Sequence, residues 1–541
     1  MYEGRLTSRK EFILFLVLLT VYAYFVQDAG WSQNARLDLT LSLARDRSVR
    51  IDGYHGNTGD KLQYEGHYYS PYAPGLSALG VGVYYAMDGL QGLGRHDLSK
   101  TGTGARDVAR YWLHLLTVIC VAIPSAFLGV VLYRFLGRLE GGSLPPALGV
   151  LVYGLGTLAL PFSTLYTAHQ MATLFAFAAF STAFMVRSNR LERVNLSAAG
   201  FLMGLAMAMD YQMVLVGVVL FFYILASRET RRGVARYAIG GLPLVAGLAY
   251  YNHVRFGNPL DFGYAYHVTW GQLYERGVMG FVAPALSTLR AITIGPRGLF
   301  TYSPVLLLIP LGLWAMIRDR RHRAEAIFTI VLIITYLVWN AGCAVPDPNG
   351  GAYPGPARLT PILPFMVVPL MFLPKGARWL LVPLAAYSFG VMILATALGP
   401  QTSAEVGNPL LQEWWPSAKA CLQCYVPTVG SIRWGWGPRE SLLALAGVLA
   451  LGGSTGLILR LMSKRPTEDR ALALTALVIV MLVVHVLLAS PIDLRHPTEI
   501  PAYFAGGRAG GSVCYAPRSA VGTCLPSGLA MDLGGSYRNG V

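Results

Sequence analysis

The stretch FILFLVLLTVYAYFVQDA (12–29) is the first of about thirteen apolar runs long enough, or nearly so, to cross a bilayer. A helical crossing takes about 20 such residues. No other feature limits the fold so strongly. In hydrocarbon every backbone N–H and C=O must find its partner within the chain, which leaves the helix as the spanning element for runs of this kind. The runs lie near 12–30, 110–132, 145–162, 167–186, 195–210, 212–226, 237–253, 299–317, 325–341, 360–373, 379–398, 440–459 and 471–490. Only 13% of the residues are charged and 54% are hydrophobic, against roughly 25% charged in soluble domains. The expected fold is an all-α polytopic membrane protein with about 13 transmembrane helices.

Topology follows from the basic residues. YRFLGR (133–138), RSNRLER (187–193), RETRRGVAR (228–236), RDRRHR (318–323), PKGAR (374–378) and RLMSKRPTEDR (460–470) all fall between runs. Placing these six and the N-terminus in the cytoplasm satisfies the positive-inside rule without conflict. The net charge of +15 is therefore that of a membrane face. No basic stripe with interleaved stacking aromatics marks a nucleic-acid partner. The basic start MYEGRLTSRK leads into the first run with no small-residue cleavage site, so an uncleaved first helix is expected. Residues 31–109, 163–168, 254–298, 342–359, 399–439 and the tail 491–541 then lie outside. The apolar piece GLSALGVGVYYAM (75–87) becomes a re-entrant or juxtamembrane helix, since a true crossing there would reverse every later loop. Residues 1–490 form the transmembrane module, and 491–541 an external tail.

Nearly all the reactive chemistry falls on the outer side. TGDKLQYEGHYYSPYAPG (58–75) carries Asp60, Lys61, His67 and Tyr69, and Asp52 precedes it. His169 opens one run, Asp210 and Tyr211 occupy a tight outer turn, and Arg297, Tyr302 and Arg358 flank two others. Ionisable groups at such depths are costly and tend to be functional. Each also has a plainer reading. Thr-Gly-Asp and Asp-Gly suit turns, His67 suits an aromatic cluster, and boundary arginines snorkel to headgroups. Asp38, on an amphipathic juxtamembrane helix, reads as solvated. The sharper reading of Arg297 and Arg358 is a bidentate grip on a phosphate. Trp31, Trp270, Trp414 and Trp415 read as interface-belt residues.

Cys120 lies in a span and Cys343 at an outer end, while Cys421 with Cys424 and Cys514 with Cys524 share outer segments. Two disulfides in an oxidising compartment are expected from these four. No histidine or carboxylate pair has metal-site spacing, and no nucleotide-binding loop or nucleophile elbow occurs. A four-cysteine zinc site is the alternative use of those cysteines, and a divalent cation, Mg or Mn, shared between a carboxylate and a substrate phosphate is also left open.

The order of these parts resembles the GT-C superfamily of membrane glycosyltransferases. The nearest likeness within it is the bacterial protein O-mannosyltransferase and aminoarabinose-transferase-like group. SQNARLDLTLSLARDRSVRIDGYHGNTGDKLQYEGHYYSPYAPG (32–75) is similar to the first outer loop of uncharacterised bacterial members. Weaker echoes are AHQMATLFAF (168–177), YNHVRFGNPLDFGY (251–264), RGLFTYSPVLLL (297–308) and GPARLTPILPF (355–365), so the likeness spans about residues 1–400. It implies a GT-C-like bundle in the bacterial inner (plasma) membrane with its active site facing the periplasm or cell exterior. The implied activity (EC 2.4 class) is inverting transfer of a sugar from a polyprenyl-phosphate donor to a hydroxyl of a protein, lipid or glycan acceptor.

On that basis Asp60 is the candidate general base and Asp52 the second. Arg297, Arg358 and Lys61 are candidates for the donor phosphate, and His67, Tyr69, His169, Asp210, Tyr211 and Tyr302 for the substrate pocket. The chain departs from the pattern where many relatives carry an Asp-Glu pair after the first span. Gln33 and Asn34 stand there, and an amide cannot take up a proton as base. Tyr72 replaces an expected lysine before Ala-Pro-Gly, and Ala357 is inserted before Arg358. The alternatives are a transporter or flippase of a lipid-linked or polar solute, which would show internal repeats and midplane charges, and an O-antigen-ligase-type glycan transferase, which would place its key groups in a late outer loop.

Overall fold

The structure, a computed structural model, describes residues 9–91, 112–277, 280–343, 350–402, 406–420 and 428. These fold as helices apart from one short antiparallel hairpin, Leu62–Tyr64 with His67–Tyr69. Among the described residues four helices are long and apolar enough to cross a membrane: Trp112–Leu136, His169–Arg187, Arg323–Ala341 and Lys375–Leu398. The bent pair Leu286–Tyr302 and Pro304–Arg318 makes a fifth if its arms form one span. The runs expected at 440–459 and 471–490, the connector 460–470, the tail and Cys421, Cys424, Cys514 and Cys524 lie outside the described residues.

Among the described residues fewer long helices appear than the runs expected there, and the breaks have local causes. The first run ends as a helix at Tyr24, and a second helix, Trp31–Leu41, starts after Gly30. The run 145–162 breaks at Thr157, whose backbone is extended; its hydroxyl donates to Tyr153 O (2.6 Å) and accepts the Ala159 amide (3.2 Å). The run 299–317 turns through 102° beside Pro304. A residue before proline is pushed out of the helical region, and Ser303 sits at φ −128°, ψ 64°. Between Ala357 and Phe372, Pro361, Pro364 and Pro369 remove backbone donors, and short 3₁₀ and α segments alternate there.

Close packing replaces length in places. Helices Leu196–Met209 and Val234–Phe256 touch backbone to backbone. A Cβ on Gly200 would lie 1.9 Å from Tyr237 O, and one on Gly240 would lie 2.1 Å from Ser197 O. Small residues at helix interfaces permit this approach in membranes, where packing rather than the hydrophobic effect joins helices.

The two ends of the bundle differ in chemistry. At one end Arg134 pairs with Glu11 (2.9 Å), Arg187 with Glu325, and Glu140 with Arg321 (3.0 Å) and Arg190 (3.6 Å). Arg193 donates to Glu229 O, and the Ser143 amide and hydroxyl donate to the Met371 carbonyl. Four of the six basic connectors thus supply contacts at this end, and Met371 shortly precedes a fifth, 374–378. Helix His169–Arg187, of 19 residues, runs from there to the other end, about 28 Å at 1.5 Å per residue, close to the hydrocarbon thickness of about 30 Å.

At the other end helix Trp31–Leu41, the hairpin and helix Gly75–Gln91 form a cap. The apolar piece 75–87 lies in that last helix, packed along Trp31–Leu41 and against helix Leu196–Met209. Gly75 presses on the latter's end, where a Cβ would lie 2.5 Å from Ala208 O. Asp38, expected to be solvated, is fully buried. The polar face of its helix meets the loop at Asn57, whose amide donates to Asp38 Oδ1 (3.0 Å), instead of meeting water.

Candidate functional site

Asp60 owes its position to a turn. Its amide donates to Thr58 Oγ1 (3.0 Å), and that hydroxyl donates to Trp31 O (2.8 Å), pinning the turn to the start of the juxtamembrane helix. The Tyr72 hydroxyl donates to Asp60 Oδ2 at 2.6 Å. Burial first, and then the Asp60 charge, push the Tyr72 phenol well above its ordinary pKa, so it remains the donor. The Arg36 guanidinium lies 3.5 Å from the centre of the Tyr72 ring and donates to Ser32 O (2.7 Å). The Ser32 hydroxyl bonds that of Tyr353.

From Tyr353 the contacts continue around a ring. Phe162 packs against both Tyr353 (5.0 Å between centroids) and His169 (5.2 Å). His169 Nδ1 lies 3.0 Å from Asp210 Oδ2, which also accepts the Gln212 side-chain amide at 2.9 Å. Tyr264 lies within electrostatic reach of Asp210 and of Tyr211. It stacks on Tyr274 (4.9 Å), whose ring is 6.2 Å from that of His267. His267 Nε2 is 3.8 Å from Asp60 Oδ1, which closes the circuit. Residues from the first loop with its helix Trp31–Leu41, from helices Ala159–Phe162 and His169–Arg187, from the turn at Asp210 and from the 254–298 and 342–359 loops thus surround one region at the end opposite the basic connectors.

The two outer loops are stitched together beside Asp60. Leu62 and His267 form an antiparallel bridge, the Val268 amide donates to Lys61 O (3.0 Å), and the Thr269 hydroxyl donates to Gly59 O (3.2 Å). Leu62 and Tyr69 also pack on Phe256 as a small apolar core. Arg255, buried behind it, faces the rings of Phe256 (4.3 Å) and Tyr251 (4.6 Å).

The other residues singled out in the sequence are placed as follows. Asp52 and His67 pair with each other (2.8 Å) at the exposed edge of the hairpin, where Asp52 Oδ1 also accepts the Tyr68 amide (2.7 Å). Burial would raise the Asp52 pKa, but the Tyr68 amide and His67 outweigh it and the carboxyl titrates below its ordinary value. Lys61 turns away from Asp60 and donates to His55 O (2.9 Å). Tyr69 faces the apolar core under the hairpin. Arg297 is buried, with Nε and Nη2 donating to Val406 O (3.0 and 2.6 Å) and Nη1 to Tyr353 O (3.4 Å). Tyr302 packs beside it on Trp414 (5.5 Å). Arg358 is half-buried, donates to Asn340 Oδ1 (3.5 Å) and lies within electrostatic reach of Tyr274. Asp60, His169, Asp210, Tyr211 and Arg358 therefore come together, while Asp52 and His67 lie apart at the hairpin edge and Lys61, Tyr69, Arg297 and Tyr302 are engaged by other partners.

Arg36, Tyr72, Tyr353 and His267 belong to the cluster but carry no sequence signal as site residues, Tyr72 excepted, where the departure from the expected lysine marked the position. Gln33 is buried and its side-chain carbonyl accepts the Gly30 amide (3.0 Å), a helix-capping role. Among the described residues no three His, Cys, Asp or Glu side chains group as metal ligands.

No protein-family model matches the chain, and no curated protein matches it. Among solved structures, ArnT from Cupriavidus metallidurans bound to undecaprenyl phosphate is 15% identical, with 88% of this chain and 76% of that one covered at a TM-score of 0.44. The apo ArnT structure from the same organism is 17% identical over 66% of this chain and 57% of that one, with a TM-score of 0.40.

Proposed function

We propose that the chain is an inverting glycosyltransferase that moves a sugar from a polyprenyl-phosphate donor to an acceptor hydroxyl within this cluster. The observation that carries the reading is Asp60. One carboxylate oxygen accepts from the Tyr72 hydroxyl, the other faces His267, and the group lies at the end of the bundle opposite the basic connectors. A donor whose lipid tail stays in the membrane can bring its phosphate there.

The acceptor O–H gives its proton to Asp60 as its oxygen attacks the anomeric carbon from the face opposite the phosphate. The new C–O bond forms while the sugar–phosphate C–O bond breaks, and configuration inverts. A base so positioned contributes about 10²–10⁴-fold. Charge grows on the departing lipid phosphate, and fixed cations stabilise it most in a site of low dielectric. Arg358 serves that role. Arg297, held by the Val406 and Tyr353 carbonyls, keeps the outer loops in place around it. The aromatic rings of Tyr353, Tyr264 and Tyr274 offer stacking faces for the sugar, and His169, fixed by Asp210, offers a polar one.

The test uses the full-length protein in detergent, radiolabelled polyprenyl-phosphate hexoses and an alkyl glycoside as hydroxyl acceptor. The unsubstituted chain is expected to transfer label. Asp60→Asn should lower transfer at least 100-fold with donor binding retained. Transfer within a few-fold of the unsubstituted chain would exclude Asp60 as base.

A further inference from the structure

His267 lies in a part of the chain that neither composition nor motif singles out, yet the fold sets it against Asp60. Its ring is buried, and its Nδ1 accepts two backbone amides, Thr269 (3.2 Å) and Trp270 (3.2 Å). A nitrogen that accepts hydrogen bonds carries no proton, so the proton is on Nε2. That N–H faces Asp60 Oδ1 at 3.8 Å. The Leu62–His267 bridge and the Val268 and Thr269 contacts hold the two segments in register at this point.

We propose that His267 is a positioning residue for Asp60, a neutral N–H donor that fixes Oδ1 as Tyr72 fixes Oδ2. This rests on the reading of Asp60 as the base. The two donors stop the carboxylate from rotating and leave one lone pair of Oδ1 for the acceptor hydroxyl. The separation is about 0.9 Å beyond an ordinary N–H···O bond, and the proposal includes its shortening when substrate binds, as catalytic hydrogen bonds that are long in the free enzyme do. The ring cannot become a cation without breaking both amide contacts, and burial acts the same way, lowering its pKa despite the opposing pull of Asp60. The charged and titratable groups facing Asp60 from the elements packed around it are Tyr72, Tyr353 and Tyr274, with Arg36 against Tyr72. Lys61, next in sequence, is turned to His55.

Two substitutions separate this role from a structural one. Asparagine places its side-chain oxygen near the histidine Nδ1 position and keeps the amide-accepting anchor while deleting the N–H. His267→Asn is therefore expected to leave thermal unfolding in detergent unchanged and to lower kcat about tenfold, a fraction of what the base supplies. Losing a donor to the charged carboxylate favours its protonated form, so the acid limb of the pH–rate profile should move to higher pH. Glutamine places its amide N–H near the histidine Nε2 position, and His267→Gln should restore part of kcat and of the profile. A His267→Asn variant with unmoved kcat and unmoved acid limb would overturn the proposal. So would a fall in kcat with an unmoved limb and no rescue by glutamine. Asp60→Asn is measured in parallel: if it is active the base reading itself fails, whereas an inactive Asp60→Asn beside an unaffected His267→Asn rejects only this inference.

Discussion

Asp38 has one carboxylate oxygen on the Asn57 amide and the other buried without a hydrogen-bond partner among the described residues. Burial, only partly offset by Asn57 and Lys61, pushes its pKa up to about 8. An unfolded aspartate titrates near 3.9. Between those values the folded chain holds a proton that the unfolded chain has lost, so stability falls as pH rises from about 4 to about 8. Each unit of difference corresponds to about 1.4 kcal/mol. Asp38→Asn should flatten that decline and raise the unfolding temperature near pH 8, as read by thermal unfolding in detergent across pH; an unchanged slope would mean Asp38 is ionised in the fold. Arg297 and Arg358 make a second contrast. Arg358→Ala should weaken donor binding about tenfold or more with the fold intact, as expected for loss of a charge-assisted contact. Arg297→Ala should instead lower thermal stability, because it removes the contacts that tie Tyr353 and Val406 together. The sequence marks Asp60, His169 and Asp210 because charge is rare in such a chain. It cannot mark Arg36, Tyr353 or His267, whose importance comes from contacts that only the folded chain makes, and it misplaces Asp38 because a polar helix face looks the same whether water or protein covers it.

At the level of elements, helix existence is legible from apolar runs, but continuity is not. The breaks at Thr157 and Ser303 arise from one hydroxyl and one proline, which a window of about 20 residues averages away. The pairing of Leu196–Met209 with Val234–Phe256 depends on glycines that read simply as weak helix formers. Since Gly200 and Gly240 each allow contact with the backbone opposite, a larger side chain must force the helices apart. Gly200→Leu is expected to destabilise the protein by about 1–3 kcal/mol, the range for overpacking. Gly247, where a Cβ meets nothing, should accept alanine with little loss. Equal unfolding temperatures for Gly200→Leu and Gly247→Ala would show that the close approach is not needed.

At the scale of the molecule, among the described residues the basic connectors gather at one end and the Asp60 cluster lies at the other, as the positive-inside assignment requires of a chain threaded through a bilayer. With native cysteines replaced, a cysteine at Glu65 should react with an impermeant maleimide from the outer face, and one at Arg321 only from the cytoplasmic face. Labelling of both from one side would reverse the assignment. The stitch between Gly59–Leu62 and His267–Thr269 has a bearing on how anything reaches Asp60. A roof whose two halves share a β-bridge, a main-chain hydrogen bond and a hydroxyl–carbonyl bond resists parting for a passing solute, because all three would have to break at once. The donor of the proposed reaction, dissolved among the acyl chains, would not have to part that roof: its tail would stay outside while only its head turned inward.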